Sequence, residues 1–144
     1  MEMTKKRLEL YRNNIDEIKE LQEKLKRMET KEEKEKFIES DTILDYKKGY
    51  PLPQAVMGYN YKKEWRTRQR YKKRIEELQQ EQEEIEEWIF SIEDGKTQRI
   101  FRLRYLDGMR QQRVAQRVHM AQSGISKKID EYLDLQNQQN LKLE

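Results

Sequence analysis

Two stripes of apolar residues with one spacing constrain this chain more than any other feature. Leu8, Tyr11, Ile15, Ile18, Gln22 and Leu25 recur at intervals of 3, 4, 3, 4 and 3, with Leu21 widening the band. Ile75, Leu78, Gln82, Ile85, Ile89 and Ile92 repeat the same series, with Trp88 beside them. That spacing holds side chains on one side of an α-helix, whereas a half-buried strand would alternate. Two narrow bands of equal length, separated by a connection able to reverse direction, predict an antiparallel helical hairpin in which each helix buries what it cannot bury alone. A core so thin gains from self-association, so a homodimer or higher homo-oligomer is expected.

Composition agrees with long solvated helices. Of 144 residues, 41% are charged and 34% hydrophobic, too little apolar material for a large spherical core. Five glycines and two prolines leave few places where a helix must stop. The expected fold is therefore all-α: a long antiparallel helical hairpin or coiled coil over residues 1–95, a C-terminal helix-turn-helix domain over 96–135, and a frayed polar tail over 136–144. Within the first region one helix is expected over 4–36, with Thr4 as its N-cap. The connection spans about 37–60, where Pro51 and Pro53 forbid a continuous helix but leave room for a short one around 38–47. Leu52, Ala55, Val56, Met57 and Tyr59 make that connection too apolar for a free linker, so it is expected to pack against another element. The second long helix is expected to stop at Asp94-Gly95, with Gly95 in a left-handed conformation. Short helices should follow over 96–107, 110–118 and 121–135.

Charge is segregated along the chain. Residues 61–75 carry Lys62, Lys63, Arg66, Arg68, Arg70, Lys72, Lys73 and Arg74 against Glu64, a balance of +7, while 76–95 carry nine acidic residues and no basic one. Such blocks concern partners more than folding. The basic block interleaves Tyr59, Tyr61, Trp65 and Tyr71 with its cations, which suits a second nucleic-acid contact. Two other readings stand beside it: the aromatics pack under the C-terminal domain, or the basic block pairs with the acidic block of a second chain.

Several function classes find no support. There is no cysteine and only one histidine, which removes disulfides, thiolate chemistry and His-based metal clusters within one chain. No Gly-rich phosphate loop, HExxH or GxSxG is present, so neither an enzyme nor a cofactor is expected. No run is apolar enough to span a bilayer, and the first ten residues lack an apolar core, so a cytoplasmic protein without a membrane partner is expected.

The chemistry concentrates in "RVAQRVHMAQSGISKKI", Arg113 to Ile129. A helix-turn-helix needs a small residue where its helices approach, a turn residue tolerant of positive φ, an apolar plug, and apolar positions about four apart in the second helix. Ala115 fits the first need and His119 the turn. Met120 fits the plug, and Ile125, Ile129 and Leu133 fit the inner face. Gln122, Ser123, Ser126, Lys127 and Asp130 then share the outer face; of these, Gln122, Ser123, Ser126 and Lys127 are the candidate base readers, with Arg110, Arg113 and Lys128 placed for phosphates.

From Arg99, the run "RIFRLRYLDGMRQQRVAQRVHMAQSGISKKIDEYL" resembles the promoter-recognition (region four) helix-turn-helix of bacterial sigma factors. Together with the upstream "GYPLPQAVMGYNYKKEW" and a charged helix, it is similar to small sigma-like regulators encoded by phages and prophages of Gram-positive bacteria, the ArpU-type and RinA-type late-gene activators. The resemblance covers about a quarter of the chain. It implies double-stranded DNA as partner, transcriptional control in a bacterial host, and contact with RNA polymerase. Two departures from the pattern stand out: His119 occupies a turn position usually held by Gly, and Ala121 replaces the usual Ser or Thr cap, at about 1 kcal/mol. Gly124 adds a similar cost. A reading helix marginal in the free protein and firmed by DNA is the expectation. A non-enzymatic coiled-coil adaptor or packaging accessory is the alternative.

Overall fold

The computed structural model describes residues 2–143; the side chains of residues 41, 43 and 141–143 lie outside that description. The described chain is mostly helical, with one small antiparallel sheet, so it is not purely all-α. The helices are α1 (Lys5–Glu9), α2 (Tyr11–Arg27), α3 (Lys31–Glu35), α4 (Tyr61–Phe90), α5 (Gly95–Phe101), α6 (Gln111–Val118) and α7 (Gln122–Leu143), with a π-helical turn over Arg102–Leu106 and strands β1 (Ile38–Asp45) and β2 (Leu52–Tyr59). No described helix is long and apolar enough to cross a membrane.

The chain divides into two compact units. One comprises Met1–Ile18 with Glu77–Glu144, the other Lys19–Glu76. In the first unit the buried cluster joins Leu8 and Tyr11 to Ile85, Ile89 and Ile92, and these to Ile100, Phe101, Val114, Ile125 and Ile129. Polar contacts run along the same seam. The Arg7 guanidinium donates to Glu84 at 2.8 Å and also to Glu81, and the Tyr11 hydroxyl donates to Glu86. In the second unit Lys24 lies 5.7 Å from the centre of the Tyr71 ring and Arg68 sits 2.8 Å from Glu29. Rising numbers on one segment thus meet falling numbers on the other, an antiparallel packing within that unit.

The expected single helix over 4–36 is three helices. Thr4 is an N-cap as expected, its hydroxyl accepting from the Arg7 amide at 3.2 Å. The chain then breaks at Leu10, for which the local contacts offer no reason, and again before Thr30, whose hydroxyl caps α3. Helix α4 ends at Phe90, earlier than expected. Asp94 is an N-cap, its carboxylate accepting from the Thr97 amide at 3.0 Å, and Gly95 is the first residue of α5 with no positive φ. A capping aspartate starts a helix there more strongly than the glycine marks an end. The tail also departs from expectation: α7 continues to Leu143, and residue 144 lies outside the described residues.

The connection departs furthest from expectation. Residues 38–47 form no helix; β1 pairs antiparallel with β2, Ile38 opposite Tyr59 through Asp45 opposite Leu52. The turn is built by Asp45, whose carboxylate accepts from the Lys47 amide, and by Gly49 at φ 84°, whose amide donates to the Tyr46 carbonyl. Pro53 is tolerated because a two-stranded sheet has only edge strands. Nor does the connection pack as expected: every residue of β2 but Tyr59 is exposed. Tyr61 and Trp65 are 75% and 62% exposed, and the Tyr61 ring meets the Tyr59 ring edge to face at 4.6 Å.

Candidate nucleic-acid interface

Helices α6 and α7 meet through a three-residue turn. Val114, Ala115 and Val118 are buried on α6, and Ile125, Ile129 and Leu133 on α7. His119 adopts φ 57° and ψ 48°, the only described non-glycine residue at positive φ. That conformation lets the Met120 amide turn back to the Ala115 carbonyl at 2.9 Å, closing the end of α6. Ala115 is therefore both the small contact residue and the acceptor that sets the turn.

Met120 is half-buried and plugs the corner. A methyl group built on Gly124 would stand 3.4 Å from its terminal carbon, an ordinary van der Waals contact, so Met120 lies over Gly124 at the first turn of α7. Ala121 supplies no side-chain cap. Its carbonyl instead accepts from the amides of Gly124 and Ile125, at 3.0 and 3.2 Å. Despite the missing cap α7 begins at Gln122, where the sequence predicts a marginal start. Each fully buried aliphatic side chain contributes roughly 1.5–3 kcal/mol, and three of them outweigh a cap and a glycine together worth about 2 kcal/mol.

An aromatic cluster seats the far side of α7. Trp88, Phe101 and Tyr132 have ring centres 5.4 to 5.9 Å apart, edge to face, and Tyr105 tilts against Phe101 at 5.8 Å. The Tyr105 ring is buried, its hydroxyl has no hydrogen-bond partner among the described residues, and burial pushes its pKa to about 12. Lys5 bridges to Asp130 at 3.3 Å at the surface.

Over the first two turns of α7, Ser123 and Lys127 are exposed on the side away from the buried stripe; Gln122, the first residue of the helix, is exposed and Ser126 is half-exposed at the edge of that stripe, so all four are accessible. Lys127 also lies 3.9 Å from Glu131, a loose pair. Arg110 and Arg113 are exposed at the start of α6 and Lys128 is half-exposed. Arg117, exposed four residues beyond Arg113, extends the basic stripe of α6, and Gln112 and Gln116 flank it. Those residues carry a signal in the sequence: 110, 113 and 117 follow the same 3, 4 spacing as the apolar stripes.

In the basic block, Lys62, Lys63, Arg66, Arg70, Lys72 and Lys73 are exposed. Arg68 is not part of that surface, since Glu64 and Glu29 both hold its guanidinium at 2.8 Å and raise its pKa. Lys63 approaches Glu39 at 3.7 Å. Comparison with protein-family models, with curated proteins and with solved structures finds no match.

Proposed function

We propose that this chain is a DNA-binding transcriptional regulator of the sigma-like phage type, with α6 and α7 as a helix-turn-helix following a helical hairpin. One observation carries the reading: four hydrogen-bonding side chains, Gln122, Ser123, Ser126 and Lys127, are accessible on the first two turns of a helix whose apolar residues Ile125, Ile129 and Leu133 are buried. A helix seated in that way offers its N-terminal turns to a major groove, where amide, hydroxyl and ammonium groups match base-edge acceptors and donors. Arg110 just before α6, Arg113 and Arg117 on it, and Lys128 on α7 supply the sequence-independent phosphate contacts.

The test is a pair of variants in a gel-shift assay with promoter DNA and a scrambled control. Ser126→Ala with Lys127→Ala should cost about 1–3 kcal/mol for each base-reading side chain removed and relax sequence preference. Unchanged affinity and preference in that double variant would remove the reading. Lys128→Ala should weaken all sequences alike and flatten the salt dependence by about one unit of slope.

The second reading, a non-enzymatic adaptor, is favoured by the hairpin, whose Leu44, Tyr46, Tyr50 and Met57 are more than half exposed. A promoter-fusion assay separates the two, because a regulator changes transcription and an adaptor does not. Contact with RNA polymerase belongs to the first reading only.

A further inference from the structure

Helix α4 spends its two sides differently. Its inner side carries Ile75, Leu78, Ile85 and Ile89, all buried, and the carboxylates that hold Arg7 and Tyr11. Two residues earlier than each inner position lies its opposite side, since two steps turn a helix by about 200°. That outer stripe runs Lys62, Arg66, Gln69, Lys73, Glu76, Gln80, Glu83 and Glu87, and all eight are exposed. None of its six charged side chains has an ion pair or side-chain hydrogen bond among the described residues.

The stripe is antisymmetric in charge about the point midway between Lys73 and Glu76. Lys62 and Glu87 are equidistant from it, as are Arg66 and Glu83, Gln69 and Gln80, and Lys73 and Glu76. A two-fold axis at that point would set each cation against a carboxylate and glutamine against glutamine, and symmetry repeats every pair. A parallel pairing would set like charge on like. The same antiparallel register carries Phe90, 59% exposed and next in the spacing after Glu87, toward the start of α4 in the other copy, where Tyr61 is exposed.

We infer that the outer face of α4 binds a second copy of this chain, antiparallel, with Lys62 against Glu87 and Arg66 against Glu83 of that copy. The basic block thus serves self-association; DNA lying along α4 would meet carboxylates over the second half of the helix. This inference is independent of the DNA-binding proposal, and neither of the measurements below involves DNA.

Exposed ion pairs are individually weak and screened by salt, so the dimer should loosen between about 0.1 and 1 M salt, as the Debye length falls from about 10 to 3 Å. In sedimentation of the full chain, K62E/R66E/K73E should raise the dimer dissociation constant by at least about tenfold, because like charges then face along the stripe. Adding E76K/E83K/E87K restores opposite pairing and should restore the dimer, which separates loss of pairing from loss of fold. The absence of native cysteine permits a register test. A mixture of Gln69→Cys and Gln80→Cys chains should form a disulfide under mild oxidation. Gln69→Cys alone should not, since its two copies would stand about 16 Å apart along the axis, beyond disulfide reach. A disulfide between two copies of Gln69→Cys, or a wild-type chain that sediments as monomer at low salt, would overturn the inference.

Discussion

Tyr105 shows how one atom sets a pH response. Its pKa and that of Tyr11 are both pushed up to about 12, Tyr105 by burial and Tyr11 by burial together with a hydrogen bond to Glu86. The unfolded chain ionises its tyrosines near pH 10. The folded state thus keeps protons that the unfolded state loses, so stability is intact below about pH 10 and falls as pH rises toward 12. Tyr105→Phe should blunt that alkaline loss. It should also leave stability at neutral pH unchanged or higher, because the hydroxyl it removes has no partner among the described residues. Urea midpoints at pH 7 and about pH 10.5 check both outcomes. Ala121 offers a second test at this scale. Ala121→Ser should add about 1 kcal/mol of stability by capping α7. Ala121→Asp should stabilise similarly yet, on the DNA-binding proposal, weaken binding, since that proposal brings phosphates to the start of α7; thermal unfolding and a gel shift read the two effects separately.

Among the elements, legibility in the sequence follows periodicity. The inner faces of α6 and α7 are readable because their apolar residues recur at helical spacing and bury where that spacing puts them. His119 is identifiable as the turn residue, and its positive φ is the conformation that position requires. Gly124 reads from sequence as a simple cost, because only the fold shows Met120 lying over it. The hairpin is not legible: Pro51 and Pro53 read as a loop, and a two-stranded sheet exposed on most of both strands leaves no clean alternation of polar and apolar residues. Asp94 misleads because Asp-Gly suits a helix end as well as a helix start. These elements should differ in stability. A two-stranded hairpin alone is marginal in water, so amides of β1 and β2 should exchange with solvent well before those of α7 around Ile129. Equal protection of the two would contradict that ranking. Ile129→Ala, at a fully buried position, should cost about 2–5 kcal/mol in urea unfolding.

Across the whole molecule, charge is divided between distinct surfaces. The inner carboxylates of α4 hold Arg7 and Tyr11, its outer stripe is complementary to its own reverse, and the cations of α6 and α7 surround hydrogen-bonding side chains. A symmetric dimer carrying two reading helices would require an operator with two half-sites in symmetric arrangement. The most direct test of the DNA-binding proposal is to capture fragments of the source genome on the intact protein at about 50 and about 200 mM salt, a span over which purely electrostatic binding falls by orders of magnitude. Base readout by α7 predicts that one region upstream of a gene cluster stays enriched at the higher salt. Uniform retention that vanishes with salt, or no retention at either, would contradict it.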